Sequence, residues 1–312
     1  MAIDLKHNGN IEVTNGVITI DGSPIGGGGG LEGTQYVFAA ANGTDVENAT
    51  ELQEAYDTAK TMSPSVTNRI TVICGNGNYN FSSDFVMDTE YIDLVSLDGN
   101  RSVIFNGTGT ISITANDVFV KGVDVDSKNF TIATNLNLLR VENCKGGDFS
   151  FGGDPTFGSN PINVSGTFTN CEGKTFSFGD FNGIASGTFT NCEGGFGSFG
   201  GIDPNVIEGG TASGAFTNCQ GSRGSFGGGF GGTASGTFTN CQGGEGSFGG
   251  SEGTASGTFT DCVGEDNSFG RFGTLSGKLY YCRLTAGTFE TVSGAGVTRL
   301  CIDGNNDENN QG

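Results

Sequence analysis

The phrase Ser235-Gly236-Thr237-Phe238-Thr239-Asn240-Cys241 constrains this chain more than any other stretch, because it returns with small changes from Val141 to Phe289. Its cysteines are Cys144, Cys171, Cys192, Cys219, Cys241, Cys262, Cys282 and Cys301, at intervals of 27, 21, 27, 22, 21, 20 and 19 residues. Seven positions after the cysteine stands an aromatic in seven of the eight copies: Phe151, Phe178, Phe199, Phe226, Phe248, Phe269 and Phe289. A period near 21 with fixed internal spacing predicts an all-β solenoid, in which each coil buries its apolar face only against its neighbours.

Glycine is 58 of 312 residues, far above the usual ~7%. That richness would suggest disorder, but the apolar residues are periodic. The single histidine, His7, lies in the first ten residues, so histidine acid/base chemistry and histidine metal sites are excluded from the main body. A net charge of −20 argues against nucleic acid and anionic membrane surfaces, which need Lys/Arg patches. No stretch approaches the ~20 apolar residues of a membrane span. The start, Met1 to His7, has no apolar signal-peptide core, so synthesis in a cytosol without general secretion is expected.

Residues 1–25 alternate and predict a hairpin turning at Thr14-Asn15-Gly16. An isolated hairpin is marginal in water, so this segment is expected to dock on something larger, as an anchor. Residues 26–33 form a Gly-rich linker. The capping segment, 34–90, begins with a short strand. A helix over 47–62 follows, carried by Ala49, Leu52, Ala55, Tyr56, Ala59 and Met62, with Asn48 and Glu51 placed like a capping box. Ile70–Cys74 is a strand, and Gly75-Asn76-Gly77-Asn78-Tyr79 turns into another.

Strand, helix with Gln53 and Ala55 at its middle, then strand running into Gly77-Asn78-Tyr79 resembles the opening of pectate-lyase-like right-handed β-helix proteins. The resemblance covers residues 34–125, including Tyr91–Gly99 and Val118–Val125. It implies a single-stranded right-handed parallel β-helix with coils of about 20–22 residues over 91–302, capped by the N-terminal helix. Bacteriophage tail spikes and fibres use this fold behind a particle-binding N-terminus. The likeness therefore implies a virion location, attachment through residues 1–25, a homotrimer, and contact with a host-surface glycan or protein. Ten to twelve coils would make a rod of roughly 50–60 Å at the spacing of paired strands. The acidic tail, 303–312, resembles a calcium loop at Asp303, Asn305 and Asp307 but lacks its glycine and closing glutamate, and reads as a frayed end.

Stacked coils place equivalent residues in columns. Phe168, Phe189, Phe216, Phe238 and Phe259 should point inward, with Val141 and Leu279 completing the column, as should the aromatics Phe151 to Phe289. Large apolar residues at regular period mean core; a carbohydrate platform would need these rings exposed. For Phe238 and Cys241, or Cys171 and Cys192 after their own Phe, to face inward together, the chain must turn between them. Asn143, Asn170, Asn191, Asn218, Asn240 and then Asp261 occupy that place, and Asn and Asp tolerate left-handed backbone. A hydrogen-bonded asparagine ladder at the bend is expected, broken at Tyr281 and Leu300 so that the last coils bend differently. The cysteines read as free buried thiols, neither disulfides nor a zinc site. The flanking threonines, Thr167/Thr169 to Thr258/Thr260, face outward. Their array resembles that of β-solenoid antifreeze proteins, but Ala215 interrupts it and Thr suits any exposed strand.

Two coils carry extra residues at one corner, with Asp154, Pro155, Thr156, Phe157 and Asn160 in one and Asp203, Pro204, Asn205 and Ile207 in the other. Insertions on one face of a repeat protein are candidate binding loops. Glu172 and Glu193 share a column at a spacing that suits a retaining glycosidase, but Gln220 and Gln242 continue it, so a polar face is expected. No catalytic residues, metal ligands or cofactor are assigned. The expected function is a non-enzymatic phage spike or fibre that binds the host surface; the alternatives are a structural virion fibre, an ice-binding solenoid and a polysaccharide-degrading tail spike.

Overall fold

Two left-handed corners shape each described coil of the repeat from Asn143 to Phe269. In the coil of Phe238, Thr237–Thr239 is a strand, Asn240 turns the chain with φ 51°, and Cys241 begins the next side. The second corner is Phe248 at φ 54° followed by Gly249 at φ 88°, after which Thr254–Ala255 forms the third side. The computed structural model describes residues 35–125, 130–133, 135–152, 162–179, 183–201, 209–270, 272–286 and 289, together with the strands Ile11–Thr14, Val17–Ile20, Ser23–Pro24, Val297–Arg299, Cys301–Ile302 and Glu308–Asn309.

Stacking these coils makes an all-β right-handed parallel solenoid. Its longest sheet has 12 strands, from Gln35–Ala39 at one end to Val297–Arg299 at the other. The register superposes like on like: Phe168 pairs with Phe189, Phe189 with Phe216, Phe216 with Phe238, and Phe238 with Phe259. A second side of six strands stacks Val164, Ala185, Ala212, Ala234, Ala255 and Leu275, all buried.

The core is two perpendicular stacks of rings. Phe189, Phe216, Phe238 and Phe259 lie nearly parallel, with centroids 4.8–4.9 Å apart. Phe178, Phe199, Phe226, Phe248 and Phe269 repeat this at 4.8–4.9 Å. The coil rise thus exceeds the ~3.5–4.0 Å of carbon contact, so the parallel rings are offset, the arrangement their quadrupoles favour. Between the stacks the rings meet edge to face, as Phe226 and Phe238 do at 5.9 Å and 87°.

Phenylalanine at a left-handed corner is costly, about 1–2 kcal/mol. Burial of one such ring returns roughly 2–3 kcal/mol, and aromatic pairing adds about 0.5–1.5 kcal/mol. Burial wins, and the corner keeps Phe. The space it fills dictates its neighbour: a Cβ at Gly243 would stand 2.5 Å from Ser247 Cβ and 2.9 Å from the Phe248 ring.

At the first corner the asparagine amides form a ladder. Nδ2 of Asn170 donates to Oδ1 of Asn143 at 3.1 Å, and Asn191, Asn218 and Asn240 each repeat this to the coil before, at 3.0–3.3 Å. Asn143 ends the row by donating to the Gly99 carbonyl. Asp261 keeps the same bend at φ 54°. So does Tyr281, at φ 56°, with its ring exposed and Cys282 still buried. The expectation that the coil bends differently at Tyr281 is therefore corrected: neighbouring coils impose the corner, whatever side chain occupies it. Leu300 lies outside the described residues.

The helix spans Asp45–Thr61 and buries Leu52, Tyr56 and Ala59 against the first coils. Its capping box is Thr44 with Glu47, not Asn48 with Glu51. Asn48 lies inside the first turn, where its Nδ2 donates to the Asn78 carbonyl at 2.9 Å. In the N-terminal hairpin, Thr14 pairs with Val17, so Thr14 belongs to a strand and two residues, not three, separate the strands. Ser23–Pro24 adds a third strand.

Candidate functional site

The side of the solenoid between the Asn corner and the Phe corner carries the most chemistry. Parallel pairing places Asp124, Lys145, Glu172, Glu193, Gln220, Gln242 and Val263 in one column. Glu172 and Glu193 are thus neighbours in adjacent coils. Glu172 is clasped from two directions: Lys145 Nζ lies 3.0 Å from Oε1, and Arg101, from an earlier turn, lies 2.6 Å from Oε2. Arg101 also donates to the Asn170 carbonyl, tying that turn to the ladder. Burial opposes the charge of Glu172, but the hydrogen bonds from Lys145 and Arg101 outweigh it and hold its carboxyl below the ordinary range. A carboxylate held this way is a poor proton donor at neutral pH.

Beside this column runs a shallow groove of ≈ 410 Å³, lined by Asp148, Glu172, Lys174, Thr175, Glu193, Gln220 and Ser222 with glycine backbone between them. It continues along the rod axis past Gln220 and Ser222 into a second depression of ≈ 320 Å³ bearing Arg223, Gln242, Glu245 and Glu265. Carboxylates, amides, hydroxyls and two cations face one elongated space, with glycine backbone rather than large apolar side chains between them. This arrangement can hold a hydroxyl-rich chain lying parallel to the rod.

Inside the same coils the cysteine column is buried, and all nine cysteines are free thiols. Cys192 Sγ donates to the Phe168 carbonyl at 3.4 Å, and Cys219, Cys241, Cys262 and Cys282 donate likewise to the Phe carbonyls of their preceding coils. Burial pushes the Cys144 and Cys192 thiols well above their ordinary range. They pack as small donors in the core, and among the described residues no group of three or more His, Cys, Asp or Glu converges on a point.

A further column was legible in the phrase but not assigned from it. Ser150, Ser177, Ser198, Ser225, Ser247 and Ser268 precede the second Phe of each coil and are buried. The hydroxyl of Ser198 donates to the Lys174 carbonyl at 3.1 Å, and that of Ser247 to the Ser222 carbonyl at 3.3 Å. These hydroxyls find their own acceptors in carbonyls that also take the backbone N–H of Gly195 and of Gly244 from the following coil, so no serine hydroxyl is buried without a partner in these two coils. The invariance of Ser before Phe-Gly was the available signal.

The loop residues expected to bind, Asp154, Pro155, Thr156, Phe157, Asn160, Asp203, Pro204, Asn205 and Ile207, lie outside the described residues. So does the calcium-loop-like stretch at 303–307. The outward threonines are in register from Thr167/Thr169 to Thr258/Thr260, with Ala215 in the row. Among the described residues no helix is long and apolar enough to cross a membrane. Comparison with protein families, curated proteins and solved structures gives no match for this chain.

Proposed function

We propose that this protein is a non-enzymatic rod that binds host-surface glycans along its side, as the spike or fibre of a bacteriophage particle. The observation that carries the glycan reading is the polar groove from Asp148 to Glu265, which follows the rod axis across successive coils. The virion part rests on the resemblance of residues 34–125 to the capped start of tail-spike β-helices, and on the hairpin and Gly-rich linker ahead of them. In this reading residues 1–25 attach the particle, and three copies assemble side by side. Glu172, held ionised by Lys145 and Arg101, supports a binding role over general acid catalysis.

A glycan array probed with the full chain tests this. Retention of at least one glycan, lost when Gln220→Trp fills the groove, is the expected result. No retained glycan overturns the adhesin reading, and copurification with virions would then leave a structural fibre. Release of reducing sugar that disappears in Glu172→Gln would overturn the non-enzymatic part.

A further inference from the structure

A separate pocket shares the Arg223–Glu245 ion pair with the groove. It has a volume of ≈ 200 Å³ and is lined by Arg223, Phe230, Glu245, Ser251 and Asn267, with Gly224, Gly229 and Gly246 as bare backbone. Sites for drug-sized ligands run to about 300–1,000 Å³, so this one suits a single small ring. Phe230 is 38% exposed although every ring of the two core stacks in these coils is buried. It sits in Gly228-Gly229-Phe230-Gly231-Gly232, so none of its sequence neighbours carries a side chain. Arg223 Nε lies 3.3 Å from Glu245 Oε2, and both side chains are about half exposed. An ion pair so open to water is worth little, so its members can turn to a ligand at small cost.

We infer that this pocket is a subsite for one pyranose ring, seated against Phe230 and hydrogen-bonded at its rim by Arg223, Glu245, Ser251 and Asn267. The inference rests on the glycan-binding reading above and places one sugar of that glycan. A pyranose has an apolar C–H face and a rim of hydroxyls, each both donor and acceptor. The pocket matches both halves. The Phe230 ring offers a flat apolar wall. Arg223 supplies only donors, Glu245 only acceptors, and Ser251 and Asn267 supply both. Arg223 and Glu245 belong equally to the groove, so a chain lying in the groove reaches the pocket with one terminal or branching sugar.

Saturation-transfer NMR of the full chain with methyl glycosides of galactose, glucose, rhamnose and N-acetylglucosamine tests the inference, alongside the glycan array. At least one glycoside should bind, and Phe230→Ala should weaken it by about tenfold or more, the loss expected for an aromatic anchor. Thr237→Ala, on a different side of the rod, should bind as the parent does. Should Phe230→Ala alter the far-ultraviolet circular dichroism, Phe230→Leu carries the same expectation, since it keeps apolar volume and removes the ring. Glycosides that titrate identically against the parent and the Phe230 variants overturn the subsite and leave the groove standing. Array glycans without any bound monosaccharide do the same. Absence of both overturns the subsite and the glycan reading together.

Discussion

The first coils and the repeat coils solve the same packing problem in different ways. Between Phe81 and Val125 the interior is a mixture of Ile, Leu, Val, Met, Ala and Phe, with Phe85, Phe105 and Phe81 meeting at 5.0–6.1 Å and angles from 14° to 58°. Each of these contacts is individual. From Phe178 to Phe269 the same two ring contacts recur within a few degrees, stacked along each column and edge to face between the columns. The first region specifies its structure by complementary shapes, the second by translation of a single cross-section. In the second, a substitution is felt by the coil above and the coil below alike, because both present the same residue.

The largest test of that contrast is Phe238→Ala, which removes stacking on Phe216 and Phe259 and edge contacts with Phe226 and Phe248. A loss of ~3–5 kcal/mol is expected, read from the urea midpoint. Leu94→Ala in the first region should cost ~2–5 kcal/mol; if Phe238→Ala costs clearly less than Leu94→Ala, ring stacking is not what holds the repeat. Asn218→Ala comes next. It removes the bond donated to Asn191 and the one accepted from Asn240 and puts Ala in a left-handed corner. Those losses sum to about 2–5 kcal/mol. Asn218→Gly, which relieves the backbone alone, should recover part of it; equal values for the two variants would deny the corner any backbone preference.

Asp261→Asn should act in the opposite direction. The ladder's Nδ2 donors all point toward the preceding coil, and Asp261 has no amide N–H to give to Asn240. An amide there adds a rung, worth about 0.5–1.5 kcal/mol, and thermal denaturation should shift upward; an unchanged or lower midpoint would show that the ladder ends at Asn240 for another reason. The smallest effect concerns acid. Glu172 has a folded-state pKa below its unfolded value, so its contribution is present above the unfolded pKa and is lost as pH falls through the folded one. Glu172→Gln should therefore flatten the stability curve between neutral pH and the carboxylate range. Asp93 works in reverse: burial raises its pKa despite Arg69, so it stabilises less as pH rises. A steeper acid limb in Glu172→Gln would refute the assignment.

The repeat was readable because one spacing governs every column. Inward Phe, turning Asn and buried Cys follow from a three-residue separation and the need to bury both ends of it. Contacts that cross the repeat were not readable. Arg101 reaches Glu172 over 71 residues, and no local pattern announces such a pair. Thr44 does not stand out as the cap in the sequence because Asn48 and Glu51 offer the same chemistry one turn later, and only the position of the first helical hydrogen bond separates them. Tyr281 has no preference for the left-handed bend, and what dictates it there is the stacked coil before it, which a residue preference does not reveal. For the candidate site, the Glu/Gln column was legible, but the groove beside it and the pocket at Phe230 depend on where glycines leave surface bare.

Because the Phe, Asn and Cys columns each repeat one side chain over most of their length, a coil displaced by one whole rung would find nearly the same core partners: Phe on Phe, Asn on Asn, Cys on Cys. The coils from Ile184 to Leu279 therefore carry little record of their own place in the order. That record lies ahead of them, in contacts that occur once. Arg69 joins Asp93 and Asp117, Asn106 binds Asp45 at the start of the helix, and Asn143 fastens the ladder to Gly99. The irregular end is the origin from which the chain counts its turns, and a slip in that count would yield a well-packed rod of the wrong length.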